Sequence, residues 1–144
     1  TASQWNWRFD YPDSGITTSE LALPLGRTVL LQLKSDDVIH NFWVPEFRVK
    51  QDAVPGMVKP LRLTPTRVGQ YKIRCSEMCG SGHAGMYADV NVMPPDEFDA
   101  WLSAKEEEIA LLKAGPAIER GKYVADLMGC QECHSLDGTP GKGP

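Results

Sequence analysis

The sequence predicts an all-β protein, a Greek-key β-sandwich or barrel with a C-terminal helical extension. Three observations carry that reading. Short runs of β-forming residues recur up to Val92, Pro and Gly punctuate them at turn spacing, and the pattern changes to helical periodicity after Pro94-Pro95.

The first element is Gln4 to Tyr11, where Trp5, Trp7, Phe9 and Tyr11 alternate with Asn6, Arg8 and Asp10 in the period of one half-buried strand. Further strands are expected at 20–23, 28–35, 41–44, 58–64, 69–75 and 86–92. Turn formers such as Pro12-Asp13-Ser14-Gly15, Pro24-Leu25-Gly26 and Pro55-Gly56 separate them. Beyond Pro94-Pro95, Asp96 or a neighbour is expected to cap a helix running to Lys113, with Phe98, Trp101, Leu102, Ile109 and Leu112 as its apolar positions. Ala114-Gly115-Pro116 stops it, and a second helix over 117–127 leads to a short segment rich in Gly and Pro. The chain thus divides at 1–94, 95–128 and 129–144, the last too short to form a domain.

With 144 residues, the chain is long enough for one domain with a proper core and an appendage. Its longest apolar stretches, 28–33 and 38–45, fall far below the ~20 residues a spanning helix needs. No charged start followed by an apolar run suggests a signal peptide, and Thr1 in place of Met points to a processed protein or a piece of a longer one. Residues 1–94 hold ten Lys or Arg against nine Asp or Glu, whereas 95–144 hold five against ten, so the chain offers no basic stripe for nucleic acid.

Four cysteines fall in two close pairs, Cys75 with Cys79 and Cys130 with Cys133, unlike the wide spacing of a disulfide framework. The first pair lies in CSEMCGSGHAGM, Cys75 to Met86, between two expected strands, with Gly80, Gly82 and Gly85 letting the backbone wrap a small centre. Thiolate and thioether sulfur favour copper, imidazole accepts copper or zinc, and no carboxylates are spaced as ligands for magnesium or calcium. A blue-copper site uses one cysteine. Two at a spacing of four can bridge two copper ions, leaving one imidazole and one weak ligand for each.

His83 supplies one imidazole, and His40 in DVIHNFWVP is the candidate for the other. A site with every position filled by protein has no opening for substrate, which favours electron transfer over catalysis. A structural zinc site and a copper chaperone are the alternatives, although the chaperone would sit on a thioredoxin-like α/β pattern. The aromatic residues of the first segment read as packing, and Asp36 and Asp37 as solvated turn residues.

Together, CSEMCGSGHAGM, VIHNFWVPEF and QWNWRFDY resemble the copper domain of subunit II of cytochrome c oxidase over roughly the first hundred residues. That resemblance implies a cupredoxin-like fold carrying the dinuclear CuA centre. Cys75 and Cys79 would bridge the coppers, His40 and Met86 would complete one, and His83 with the Glu77 carbonyl the other. It further implies that the Glu77 side chain faces subunit I and can bind magnesium or manganese there, and that Trp5 receives electrons from cytochrome c. The copper domain of nitrous oxide reductase, with the same ligand scheme, is the nearest functional alternative.

Cys130-Gln131-Glu132-Cys133-His134 is the Cys-x-x-Cys-His signature of haem c attachment, with His134 as proximal ligand. In its Gly-rich context it resembles the start of a cytochrome c domain fused to subunit II, as in caa3-type oxidases. Haem c is therefore expected in the parent protein, the alternative being an acidic tail with two free thiols. A membrane-anchored parent with this domain on the periplasmic or outer face follows from the same resemblance.

Overall fold

A computed structural model describes residues 1–130 and His134. Eleven strands and two helices make up the described fold: β1 Ala2–Ser3, β2 Asn6–Trp7, β3 Phe9–Tyr11, β4 Ile16–Thr18, β5 Leu21–Pro24, β6 Val29–Leu33, β7 His40–Val44, β8 Val49–Ala53, β9 Lys59–Leu63, β10 Gly69–Cys75, β11 Tyr87–Met93, α1 Pro95–Ala114 and α2 Ala117–Leu127. A five-stranded sheet in the order β5-β11-β10-β7-β8 packs over the antiparallel pairs β6-β9 and β3-β4. Only β5 joins that sheet in parallel, against β11.

Alternation decides which side chains meet. Along β10, Ile73 and Cys75 turn inward while Lys72 and Arg74 face solvent, and along β11 Ala88, Val90 and Val92 are the buried set. On β7, His40, Phe42 and Val44 share the inner face. The core of Trp7, Phe42, Val44, Ile73 and Val90 closes beneath these strands. Because β7 and β10 run antiparallel with Cys75 opposite Phe42, the start of one and the end of the other arrive at the same pole. His40 and Cys75 therefore come together there, facing inward.

The expected strand over Gln4 to Tyr11 is not one strand. The chain folds back at Gln4-Trp5, so that Ala2 pairs with Trp7 and Ser3 with Asn6, and only then continues into β3. Trp7 enters the core at 1% exposure, whereas Trp5 lies over the loop between β10 and β11. β1, β4 and β8 lie outside the expected segments; β8, with the sequence VKQDA, is an edge strand whose Lys50 and Asp52 face out. The first helix starts at Pro95 after Pro94, with no side-chain cap; Asp96 sits inside the first turn, where its charge complements the helix dipole.

Both helices contact the β domain. Phe98 of α1 is buried, and Trp101 packs on Tyr11 with ring centroids 5.4 Å apart. Tyr123 of α2 donates to the Thr17 carbonyl at 2.9 Å, and Asn6 Nδ2 donates to the Leu127 carbonyl at 2.8 Å. Among the described residues, no helix is long and apolar enough to cross a membrane.

Tyr11 ties the hairpin to β5, donating to the Ala22 carbonyl at 2.9 Å and accepting from the Ala22 N–H at 2.8 Å. Burial pushes its phenol well above the ordinary tyrosine range. A group whose folded pKa is raised stabilises fully below its unfolded pKa and loses that contribution as pH climbs toward the folded value. Stability should therefore decline above about pH 10. Tyr11→Phe should cost about 1–3 kcal/mol at neutral pH by leaving both Ala22 groups unpaired, and should flatten that alkaline decline. Denaturant melts of both proteins at pH 7 and pH 11 check it; an equally steep alkaline decline in the variant would count against Tyr11 as the group responsible.

Candidate metal centre

The loop from β10 to β11 leaves and rejoins the sheet at one point, where the Cys75 N–H donates to the Met86 carbonyl at 3.1 Å. Between these residues a 3-10 turn over His83–Gly85 directs His83 back toward the sulfurs. Cys75 Sγ and Cys79 Sγ lie 3.7 Å apart. Around them, His83 Nδ1 is 3.4 Å from Cys79 Sγ, His40 Nδ1 is 3.9 Å from Cys75 Sγ, Met86 Sδ is 3.8 Å from Cys79 Sγ, and the Glu77 carbonyl is 3.3 Å from Cys75 Sγ. All six expected donors thus gather about one pair of sulfurs. His40, Cys75, Cys79 and Met86 are buried, while the Glu77 side chain is exposed.

The contact between His40 and Met86 is itself informative. His40 Nε2 lies 2.8 Å from Asp37 Oδ1, and in a neutral imidazole donation from Nε2–H to that carboxylate leaves Nδ1 as the lone-pair nitrogen. That nitrogen faces Met86 Sδ at 3.1 Å. Two electron-pair donors then face one another with no proton between them, an arrangement that a soft cation beside them would satisfy. The donor set fits copper better than zinc: six donors exceed the four of a closed structural zinc site, and a thioether with a backbone carbonyl suits weak ligation of copper.

Asp37 is the residue that sequence reasoning missed. Expected as a solvated turn residue, it accepts hydrogen bonds from His40 and from the N–H groups of Gln4 and Val38, each of those two at 2.6 Å. Partial burial works against its charge, but the bond from His40 and the two backbone bonds outweigh it and hold the carboxyl below the ordinary range. A carboxylate behind a ligating imidazole fixes its tautomer and increases its basicity. The Asp-x-x-His spacing was the signal available. Trp7 completes the support, its ring edge-on to His40 with centroids 6.4 Å apart.

Burial pushes the Cys79 thiol up to about 12, and the adjacent Cys75 adds to the shift. Metal-free Cys79 thus carries its proton at neutral pH, and binding of a metal releases it. On the outer side, Trp5 Nε1 and Gln4 Nε2 both donate to the Cys79 carbonyl, at 3.1 and 2.7 Å. The indole lies so close that a Cβ on Gly82 would fall 2.3 Å from Trp5 Cδ2. Of the second cysteine pair, Cys130 is an exposed free thiol, the His134 N–H donates to the Cys130 carbonyl at 2.8 Å, and Cys133 lies outside the described residues.

The sequence pattern of the cytochrome c oxidase subunit II periplasmic-domain family matches residues 15–93, more than half of the chain. The chain belongs to this family. Subunit 2 of the cytochrome c oxidase of Thermostichus vulcanus is 50% identical over 124 residues, covering 86% of this chain and 37% of that protein. Its counterpart in Alkalihalophilus pseudofirmus is 36% identical over 143 residues, 96% of this chain and 41% of that one. The chain therefore spans about two fifths of the length of these subunit II relatives.

The crystal structure of the periplasmic domain of subunit II of the Bradyrhizobium japonicum cytochrome oxidase superposes with a TM-score of 0.70 at 28% identity, covering 74% of this chain and 90% of that one. A chain of a heme-copper terminal oxidase dimer solved by cryo-electron microscopy matches with a TM-score of 0.56 at 29% identity, covering 64% and 59%. The cupredoxin-like architecture expected of a subunit II domain is the one found, with two helices at its C-terminal end. Membership in this family favours the oxidase reading over the zinc module, the chaperone and nitrous oxide reductase.

Proposed function

We propose that this chain is the electron-transfer domain of a cytochrome c oxidase, accepting electrons from cytochrome c and delivering them to subunit I for reduction of oxygen to water. One observation carries the reading: two thiols 3.7 Å apart, each with an imidazole within 4 Å of its sulfur and one further weak donor at hand. Cys75 and Cys79 would bridge a copper pair, with His40 and Met86 on one side and His83 and the Glu77 carbonyl on the other. Two coppers sharing thiolate bridges supply a one-electron couple whose charge is spread over both ions.

The protein supplies rigidity. His40 is held by Asp37 and Trp7, and the loop is closed by the Cys75–Met86 backbone bond, so little moves when charge changes. Trp5 is the proposed point where electrons arrive, since its indole N–H reaches the carbonyl of a bridging cysteine. The exposed Glu77 side chain is available to a magnesium or manganese ion at the boundary with subunit I. Exposed apolar residues on loops at this pole, Val38, Ile39 and Met78, suit contact with protein partners.

By the same reading residues 1–94 form the copper domain and 95–128 link it to a cytochrome c domain beginning near 129. Haem c would be attached at Cys130 and Cys133 with His134 as ligand. The domain then works on the periplasmic or outer face of the cytoplasmic membrane, where haem c is attached.

Metal analysis and electron spin resonance of the copper-loaded chain test the function. Two coppers per chain, with hyperfine structure from one unpaired electron shared by both nuclei, is the expected result. Zinc alone, or a single labile copper, would overturn it.

A further inference from the structure

We propose that the Asn41 carboxamide is a positioning device for the metal loop, tying Ser76 to Asp52 and so aiming the Glu77 carbonyl. Asn41 follows His40 on β7 and is only 4% exposed, although the alternation of His40, Phe42 and Val44 places it on the opposite face from the core. Both ends of its side chain are engaged. Oδ1 accepts from Ser76 Oγ at 2.7 Å, and Nδ2 donates to Asp52 Oδ1 at 2.5 Å. Its backbone carbonyl also accepts the Ser76 N–H at 3.3 Å.

Ser76 is where the loop departs from the sheet. The pairing of β10 with β7 ends at Cys75 opposite Phe42, so the Asn41 bonds are what hold the chain to β7 past the last paired residue. The next residue is Glu77, whose carbonyl lies 3.3 Å from Cys75 Sγ. A backbone carbonyl has no side-chain torsions of its own. Its direction is set by the residues beside it, so fixing the Ser76 hydroxyl and N–H fixes the carbonyl that follows.

Asp52 supplies the polarity. A carboxamide alone can present either end to a hydroxyl, but an ionised carboxylate only accepts. Asp52 on β8 therefore holds Nδ2 toward itself and leaves Oδ1 for Ser76. Three chain segments, β7, β8 and the loop, are locked in one orientation by a single side chain.

This inference rests on the copper reading for its metal-based test but not for its backbone test. Asn41→Leu keeps the branching at Cγ and removes both side-chain bonds; Ser76→Ala removes the bond from the loop side. Both should lose copper to a chelator faster, roughly tenfold for Asn41→Leu, and both should show faster hydrogen exchange at the Glu77 and Met78 amides with Val90 unchanged. The double exchange Asn41→Asp with Asp52→Asn reverses donor and acceptor, letting residue 41 accept from Ser76 and from residue 52. It should restore both readouts toward the original values.

Unchanged copper loss and exchange in folded Asn41→Leu would overturn the proposal, as would a folded double variant as loose as Asn41→Leu. Should the double variant not fold, Ser76→Ala decides: the original Glu77 exchange rate there refutes the tie. Exchange in the metal-free chain judges this inference alone, whereas an unaltered chain lacking a two-copper signal counts against the proposed function.

Discussion

Cys79→Ser should leave a chain that binds at most one copper and shows no spin shared between two nuclei. Cys79 stands at the centre of the donor cluster, with its sulfur 3.7 Å from Cys75 Sγ, 3.4 Å from His83 Nδ1 and 3.8 Å from Met86 Sδ. At 3% exposure it has no route for water to take over as bridge. A serine oxygen is a hard, weakly acidic donor and does not replace a thiolate between two soft ions. The metal-free fold should be nearly unaffected, since the side chains are similar in shape and the thiol is already protonated at neutral pH. Copper stoichiometry and electron spin resonance read the result together. Retention of two coppers with a shared spin would remove Cys79 from the bridge.

Gly82→Ala should slow electron transfer from reduced cytochrome c while sparing the copper signal. The added methyl would fall 2.3 Å from Trp5 Cδ2 and 2.5 Å from Cε3, distances no packed pair sustains, so the indole has to move. Gly82 has φ −85°, open to any residue, which makes the effect steric and confined to Trp5. Displacing the indole breaks its bond to the Cys79 carbonyl and removes the covering on the outer side of the loop. The rate of electron transfer falls as donor and acceptor separate, so displacing the indole from the outer side of the loop should slow it. Gly85→Ala is the control, because a Cβ there meets nothing within 4 Å. Stopped-flow reduction of both variants gives the comparison, and equal rates would take Trp5 off the route.

Much of the metal centre was legible because its donors follow the two patterns a sequence displays best, close spacing and strand alternation. Cys75 closes β10 and Met86 directly precedes β11, so the loop and its glycines were readable as one unit. His40 was reachable because a second imidazole was needed and few were available. The supports were not, because hydrogen bonds between distant segments leave no period. Asp37 looks like any turn aspartate until Gln4 and His40 meet it, and Asn41 looks like a strand-edge amide until Ser76 and Asp52 do. Alternation also misled at Gln4 to Tyr11, where a fold-back at Gln4-Trp5 keeps the aromatic period while turning Trp5 away from Trp7. β8 escaped because an edge strand with one buried residue has almost no apolar signal.

The fold-back at Gln4-Trp5 also limits how far the centre can be moved to another protein. Grafted onto an unrelated sandwich, the segment from Cys75 to Met86 would carry five of the six proposed donors. It would arrive without His40, without the indole and carboxamide that clasp the Cys79 carbonyl, and without the amide that orients Ser76. A suitable host must already present an inward histidine two positions before the strand residue that pairs with the first cysteine, as His40 precedes Phe42 here. The twelve-residue motif is portable as chemistry, but its geometry belongs to the scaffold.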